Sequence, residues 1–173
     1  ITDLSAWCKI SFGSNSANPL YNGAKLYLNG SELTDITIPS DITEIKAYTF
    51  SGYTSLTSIT IPDSVTSIGK NAFYGCTSLK SVTIGNSVTS IGKSAFEGCI
   101  GELIINSKEL VKTDYTSSNY PMKSSDGWLY GSKFTKLTIG NNITKIGDYA
   151  FSGCKSLTSV TISNSVTEIG SYA

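Results

Sequence analysis

The residues of this chain best equipped for chemistry are its four cysteines, and three of them share one place in a recurring pattern. Cys76, Cys99 and Cys154 each follow a glycine, as Gly75-Cys76, Gly98-Cys99 and Gly153-Cys154. Such a shared position admits a metal site or a redox pair. If the pattern stacks, the Cα atoms of Cys76 and Cys99 come within ~5 Å, inside disulfide reach. It equally admits a column of small buried hydrophobes. Tyr53 stands at the equivalent place of an earlier copy, which speaks against an obligatory ligand or bridge. Cys8 has no counterpart in register and is expected to be buried beside Trp7. There is no Cys-x-x-Cys and no histidine at all, so nothing has zinc spacing. Neither a metal nor any other cofactor is expected. A serine nucleophile would lack its usual base, and no G-x-S-x-G elbow occurs. A glycosidase needs only two carboxylates. Asp35, Glu44, Asp63, Glu97 and Glu168, however, fall at outward positions of the pattern and read as a solvated surface. No enzymatic site is expected. The glycines recur once per copy without a phosphate-loop match, so they serve turns.

Composition narrows the partners. Thirteen lysines balance thirteen Asp and Glu, giving zero formal net charge, and arginine and histidine are absent. Charged residues make up 15% of the chain, while 28 serines and 20 threonines supply most of its polarity. A neutral chain without arginine lacks the cationic footprint that nucleic acid requires. No apolar run approaches the ~18–20 residues of a membrane helix, and no export signal is visible. The sequence opens on Ile1-Thr2-Asp3-Leu4, which reads as the middle of something, so a signal could precede it. Asn29-Gly30-Ser31 and Asn142-Ile143-Thr144 are glycosylation sequons, relevant only in a host that glycosylates.

The elements that must position these residues come from a repeat. Leu33-Thr34-Asp35-Ile36-Thr37-Ile38-Pro39 returns at Leu56 and again, as Leu79-Lys80-Ser81-Val82-Thr83-Ile84-Gly85, in steps of 23 residues. Phe134 to Gly140 and Leu157 to Ser163 form another pair at that spacing. Leu79 and Phe134 are 55 apart, one step plus a longer unit of 32. The chain therefore divides into a long unit (1–32), three 23-residue repeats (33–101), a long irregular unit (102–133), and one complete plus one truncated repeat (134–173). Ile1-Thr2-Asp3-Leu4 resembles Ile100-Gly101-Glu102-Leu103, which suggests a higher-order period of about 100 residues. The whole is expected to be a single array, cut from a longer one, with apolar end faces.

Within a unit, Ile59-Thr60-Ile61 alternates apolar and polar, the mark of a strand with one buried face. Pro62-Asp63 is turn chemistry, Val65 to Ile68 extended chain, and Gly69 a left-handed or sharp turn. Lys70 to Tyr74 has the length of one helical turn, with Phe73 inward. One unit cannot bury its own apolar face, but stacked units cover one another. The expected fold is a solenoid, β-rich α/β, with a parallel sheet along one side and short helical or 3-10 turns on the other.

The run from Ile61 to Leu79, I-P-x-S-V-T-x-I-G-x-x-A-F-x-G-C-x-S-L, resembles the BspA-type leucine-rich repeat family. Ala6-Trp7-Cys8, Asn18-Pro19-Leu20 and Leu26-Tyr27-Leu28-Asn29-Gly30 are similar to that family's longer spacer units. The resemblance implies a curved, right-handed leucine-rich-repeat solenoid, a place at or outside the cell surface of host-associated bacteria, and roles in adhesion to host proteins and cells. The chain departs from the pattern at Tyr53 and in the degenerate strand Leu103-Ile104-Ile105.

Two surfaces are candidate contacts. The outward ladder Asp35, Thr37, Ser58, Thr60, Ser81, Thr83, Lys136, Thr138, Ser159 and Thr161 should align along the sheet as a low-charge hydroxyl face suited to wet recognition of protein or glycan. Threonine is also simply a good strand former. Tyr115, Tyr120, Trp128 and Tyr130 lie among small polar residues of the long unit. They are either loop contacts for sugars or peptides or rings that patch the core where the repeat is broken. The function expected is a non-enzymatic extracellular binding and adhesion module for host or microbial proteins or glycans. The alternative is a structural spacer of a larger modular surface protein. A remoter one is an ice-binding threonine ladder, which Asp35, Glu44, Lys136, Lys145 and Glu168 would spoil. Nucleic acid, membrane insertion and a small-molecule cofactor are not expected.

Overall fold

A computed structural model describes residues 1–112, 115–116, 119, 121 and 127–173. The 23-residue step becomes one rung of a stack. Asp35–Thr37, Ser58–Ile61, Ser81–Ile84, Ile100–Ile105, Lys133–Ile139 and Ser159–Ile162 lie side by side in chain order as a six-stranded sheet. Every pairing in it is parallel. The alternation read at Ile59-Thr60-Ile61 sets the faces: Ile59, Val82, Leu103 and Leu137 align and are buried, as do Ile61, Ile84, Ile105 and Ile139. This is the leucine-rich-repeat solenoid expected from the repeat. The stretch Leu103-Ile104-Ile105, which departs from the repeat pattern in sequence, is nevertheless strand. Residues 102–105 pair in register with Ser81–Ile84, because Leu103 and Ile105 keep the inward spacing, while the pairing with Lys133–Ile139 shifts once, between Phe134 and Lys136.

A second side of the stack carries two-residue strands. Glu44–Ile45, Ser67–Ile68 and Ser90–Ile91 form one ladder, and Lys145–Ile146 pairs with Glu168–Ile169. Between them the long unit inserts the helix Lys108–Lys112. Ser107 caps it, accepting the Leu110 N–H at 3.3 Å while its hydroxyl donates to the Val88 carbonyl. The helix then stands in for a strand: its Val111 carbonyl accepts the Gly147 N–H of the next rung at 2.6 Å.

The third side corrects one expectation. Lys70 to Tyr74 forms no helical turn; Asn71 to Gly75 is a run of tight turns. The N–H groups of Ala72, Tyr74 and Cys76 bond back three residues, whereas those of Asn71, Phe73 and Gly75 donate across to Lys93, Ala95 and Glu97 of the next rung. A helix would turn all of these donors inward along its own axis. Asn71 also sits at φ +54°, which breaks any helix, and Tyr48, Ser94, Tyr149 and Tyr172 hold the same left-handed geometry at the same place in their rungs. Gly69 is a second correction. It does not have positive φ; it is glycine because a Cβ there would lie 2.4 Å from the Ala47 nitrogen of the preceding rung.

Phe50, Phe73 and Phe96 stack down the centre with centroids 5.5 and 5.2 Å apart and ring planes within 8° of parallel. In the long unit Trp128 and Phe134 take over, edge-on to Phe96 at 6.3 and 6.0 Å. Residues 1–33 lie over the first rung. Asp3 caps the helix Leu4–Cys8, and the Trp7 indole donates to the Thr49 carbonyl at 3.2 Å. Buried Asn18 donates to the Tyr48 and Thr49 carbonyls and accepts the Leu20 N–H. The likeness of Ile1–Leu4 to Ile100–Leu103 does not extend to structure. Asp3 starts a helix there, whereas Ile100–Leu103 is strand.

Candidate functional site

The cysteine column is structural. Cys76 donates its thiol to the Phe50 carbonyl and Cys99 to that of Phe73, each at 3.1 Å and each one rung back. All four cysteines are free thiols. Burial pushes the Cys99 pKa well up and those of Cys8 and Cys154 to about 12. A buried thiol whose pKa is raised is a poor nucleophile. Tyr53 fills the corresponding space with a ring and reaches further: its hydroxyl donates to the Leu33 carbonyl at 2.7 Å and accepts the Leu26 N–H at 3.2 Å, tying the first rung to the segment that covers it. Among the described residues no group of three His, Cys, Asp or Glu could hold a metal ion.

The outward ladder is brought together as a continuous face. One row runs Asp35, Ser58, Ser81, Glu102, Lys136, Ser159 and the next runs Thr37, Thr60, Thr83, Ile104, Thr138, Thr161, each residue paired in register with the one beside it. At ~4.8 Å per strand each row is ~24 Å long. Glu102 and Ile104 complete it and were not among the residues expected there. Their signal was present in Glu102-Leu103-Ile104-Ile105, whose second and fourth residues repeat the inward spacing of Ile59 and Ile61.

What separates this face from the other threonine rows is the use of the hydroxyls. On one flank Thr57, Thr135 and Thr158 donate to carbonyls of the rung before, at 3.0 to 3.3 Å. On another side Thr66, Thr89 and Thr167 do the same at 3.1 to 3.3 Å. Those hydroxyls hold rungs together. On the sheet face, Thr37, Thr60, Ser81, Thr83, Ser159 and Thr161 make no side-chain hydrogen bond among the described residues. The exceptions lie beside carboxylates: Ser58 donates to Asp35 and Thr138 to Glu102, both at 2.7 Å. Asp35 also accepts from the Thr34 and Thr57 hydroxyls, and these bonds, that from Ser58 first, hold its pKa below the ordinary value. Lys136 stands exposed next to Glu102 and has no ion pair among the described residues.

The aromatic residues of the long unit separate. Trp128 is buried and serves the core, Tyr115 is half-buried, and Tyr130 is exposed. Tyr120 lies outside the described residues.

Fold and face together define a leucine-rich-repeat solenoid with a polar sheet face. Residues 23–119 and 123–173 match the family model of the BspA type leucine rich repeat region, in six copies, and the chain belongs to that family. No curated protein matches it in sequence. Among solved structures it is similar to a leucine-rich repeat protein from Eubacterium ventriosum, at 26% identity and a TM-score of 0.53 over 84% of this chain and 43% of that one. It is also similar to a leucine rich cell surface protein from Faecalibacterium prausnitzii, at 31% identity and a TM-score of 0.39 over 81% of this chain and 38% of that one. The chain thus spans less than half the length of either.

Proposed function

We propose that the chain is a non-enzymatic binding and adhesion module that recognises a protein or glycan of a host or microbial surface through its sheet face. The observation that carries this reading is the row of hydroxyls without protein partners, set in a fixed ~4.8 Å raster while the flanking threonine rows are consumed by rung stacking. Such a face offers donors and acceptors at low desolvation cost and with little charge, the setting of wet, polar recognition. Catalysis fits it poorly. Asp35 and Glu102 lie three strands apart, ~14 Å, beyond the ~9.5 Å that an inverting carboxylate pair tolerates. Ice binding fits poorly too, because Glu102, Ile104 and Lys136 interrupt both rows. The reading carries with it a place at or outside the cell surface, as the family resemblance implies.

The test is a glycan array and a panel of extracellular-matrix proteins, probed with the chain at high surface density. Binding should be lost in Thr60→Glu/Thr83→Glu and kept in Thr66→Val/Thr89→Val, whose hydroxyls face another side. No binding above a denatured control, or equal loss in both variants, would leave the spacer reading instead.

A further inference from the structure

The sheet face has a hollow whose lining is charged. A shallow cavity of about 220 Å³ opens near the start of the strands Ser81–Ile84, Ile100–Ile105 and Lys133–Ile139, and Lys80, Ile100, Gly101, Glu102, Thr135 and Lys136 line it. The backbone makes the hollow. Gly101 sits beside Lys80 at φ +90°, and a Cβ there would meet the carbonyl oxygens of Leu79 and Lys80 at 2.6 Å, so no side chain can fill the place. On its other side the pairing jumps from Phe134 with Gly101 to Lys136 with Glu102, which makes Thr135 an extra residue, a β-bulge. Bulges re-aim side chains and recur beside sites. Thr135 is held there by donating to the Gly101 carbonyl at 3.3 Å. Lys80 and Lys136 flank the hollow from strands two apart, ~10 Å. Both are exposed, and neither makes an ion pair among the described residues. Lys133, opposite Ile100, is a third exposed lysine next to it. Glu102 is half-buried between them and accepts the Thr138 hydroxyl at 2.7 Å. The other carboxylate that feels Lys80 is Asp35, two strands further along, which already accepts from the Thr34, Thr57 and Ser58 hydroxyls. Three lysines against Glu102 leave a local surplus of positive charge in a chain whose net charge is zero.

Such a hollow complements one anionic group. Its volume is below that of a pocket that encloses a whole ligand, which suits a single residue of a longer chain lying across the face. A peptide is the weaker match. The three strands around the hollow are interior to the sheet, so no free edge remains to pair with peptide main chain. What the face offers instead is side chains: the hydroxyls of Ser81 and Ser159 stand in the same row as Glu102 and Lys136. A sugar brings hydroxyls of its own to meet them, and an apolar C–H side to lie against Ile100, which is 40% exposed. We propose that this hollow binds the carboxylate of a uronic acid residue of an acidic polysaccharide, between Lys80 and Lys136. The inference rests on the reading of the sheet face as a recognition surface and names the ligand class for one part of it.

The test is an NMR titration of the ¹⁵N-labelled chain with tetragalacturonate, with its carboxyl-reduced neutral counterpart and with a tetraglutamate peptide. Tetragalacturonate should move the backbone signals of Gly101, Glu102 and Lys136 saturably, with a midpoint on the order of 1 mM that rises with added salt. Lys80→Gln and Lys136→Gln should each raise that midpoint several-fold. Lys70→Gln, at an exposed position on the turn side of the stack, should leave it unchanged. Glu102→Gln, whose amide oxygen can still accept from Thr138, should lower it, because a like charge beside the bound carboxylate is gone. No shift at these residues up to about 20 mM, some twenty times that midpoint, overturns the proposal. So does a neutral counterpart or a peptide that binds as tightly, or a Lys70→Gln effect equal to that of Lys80→Gln. The sheet-face reading falls with it only if the glycan array and the matrix panel are blank as well. Binding there that Thr60→Glu/Thr83→Glu abolishes would keep that reading and remove this site alone.

Discussion

The first and the last rung of residues 1–173 are packed differently. At the first strand Ile36 and Ile38 are 2% and 1% exposed; at the last, Val160 and Ile162 occupy the same columns and are 51% and 42% exposed. The first rung is covered by residues 1–33, which add no strand to the sheet. They bring instead a short helix, two 3-10 turns and a small antiparallel hairpin. The side chains that fasten this cover are Tyr53, Asn18, Trp7 and the Lys9–Asp41 pair. What a rung needs from its neighbour is an apolar surface and partners for its carbonyls, and a piece of irregular chain can supply both. The last rung has no such cover among the described residues. Its Ile169 and Tyr172 are 57% and 75% exposed. An apolar cavity reaches it from beneath, between Leu137, Phe151 and Leu157.

The comparison can be broken most forcefully in the phenylalanine column. Phe73→Ala, between two stacked rings, should cost about 3–5 kcal/mol in urea unfolding. Phe151→Ala, half-exposed next to a cavity, should cost less than half as much. Equal losses would mean that the two ends are packed alike. A smaller effect sharpens the account of the cover. Tyr53→Phe leaves the Leu33 carbonyl without its bond and should cost about 1–3 kcal/mol, while Val160→Ser, at an exposed position of this chain, should stay within about 0.5 kcal/mol. The smallest effect is acid sensitivity. Hydrogen bonds from Lys9 and then Ser5 lower the pKa of Asp41 from its ordinary 3.8. A carboxyl lowered in the folded state contributes stability above its unfolded pKa and loses it as pH falls through the folded one. The wild type should therefore lose slightly more thermal stability below about pH 4 than Asp41→Asn, the difference vanishing at pH 7 only if the pair is worth nothing there.

Most of the rung was legible in the residues because a 23-residue spacing and period-two alternation are direct consequences of stacking. The buried Phe and Cys columns and the aligned hydroxyl face followed from the same register. The misreadings share a physical cause. At the place of Asn71 the chain turns left-handed in five copies, and in four of them, at Tyr48, Asn71, Ser94 and Tyr149, the N–H donates across to the next rung, a contact that a single unit's sequence does not display. Gly69 is explained by the backbone of a neighbouring rung, not by its own torsion. Ile104 takes a face position without the usual threonine, and only the inward spacing of Leu103 and Ile105 on either side marks it.

Amide hydrogen exchange followed residue by residue tests the stacking most directly. In the turns, the Phe73 and Gly75 N–H groups donate to Ala95 and Glu97 of the next rung at 2.8 and 2.7 Å, and the Thr66 and Thr89 N–H groups donate to Thr43 and Thr66 one rung back. All four should be among the slowest exchangers, with protection falling towards Glu168 and Ile169. Rapid exchange at Phe73 and Gly75, at rates close to those of an unstructured peptide, would contradict a stack of rungs joined through their turns.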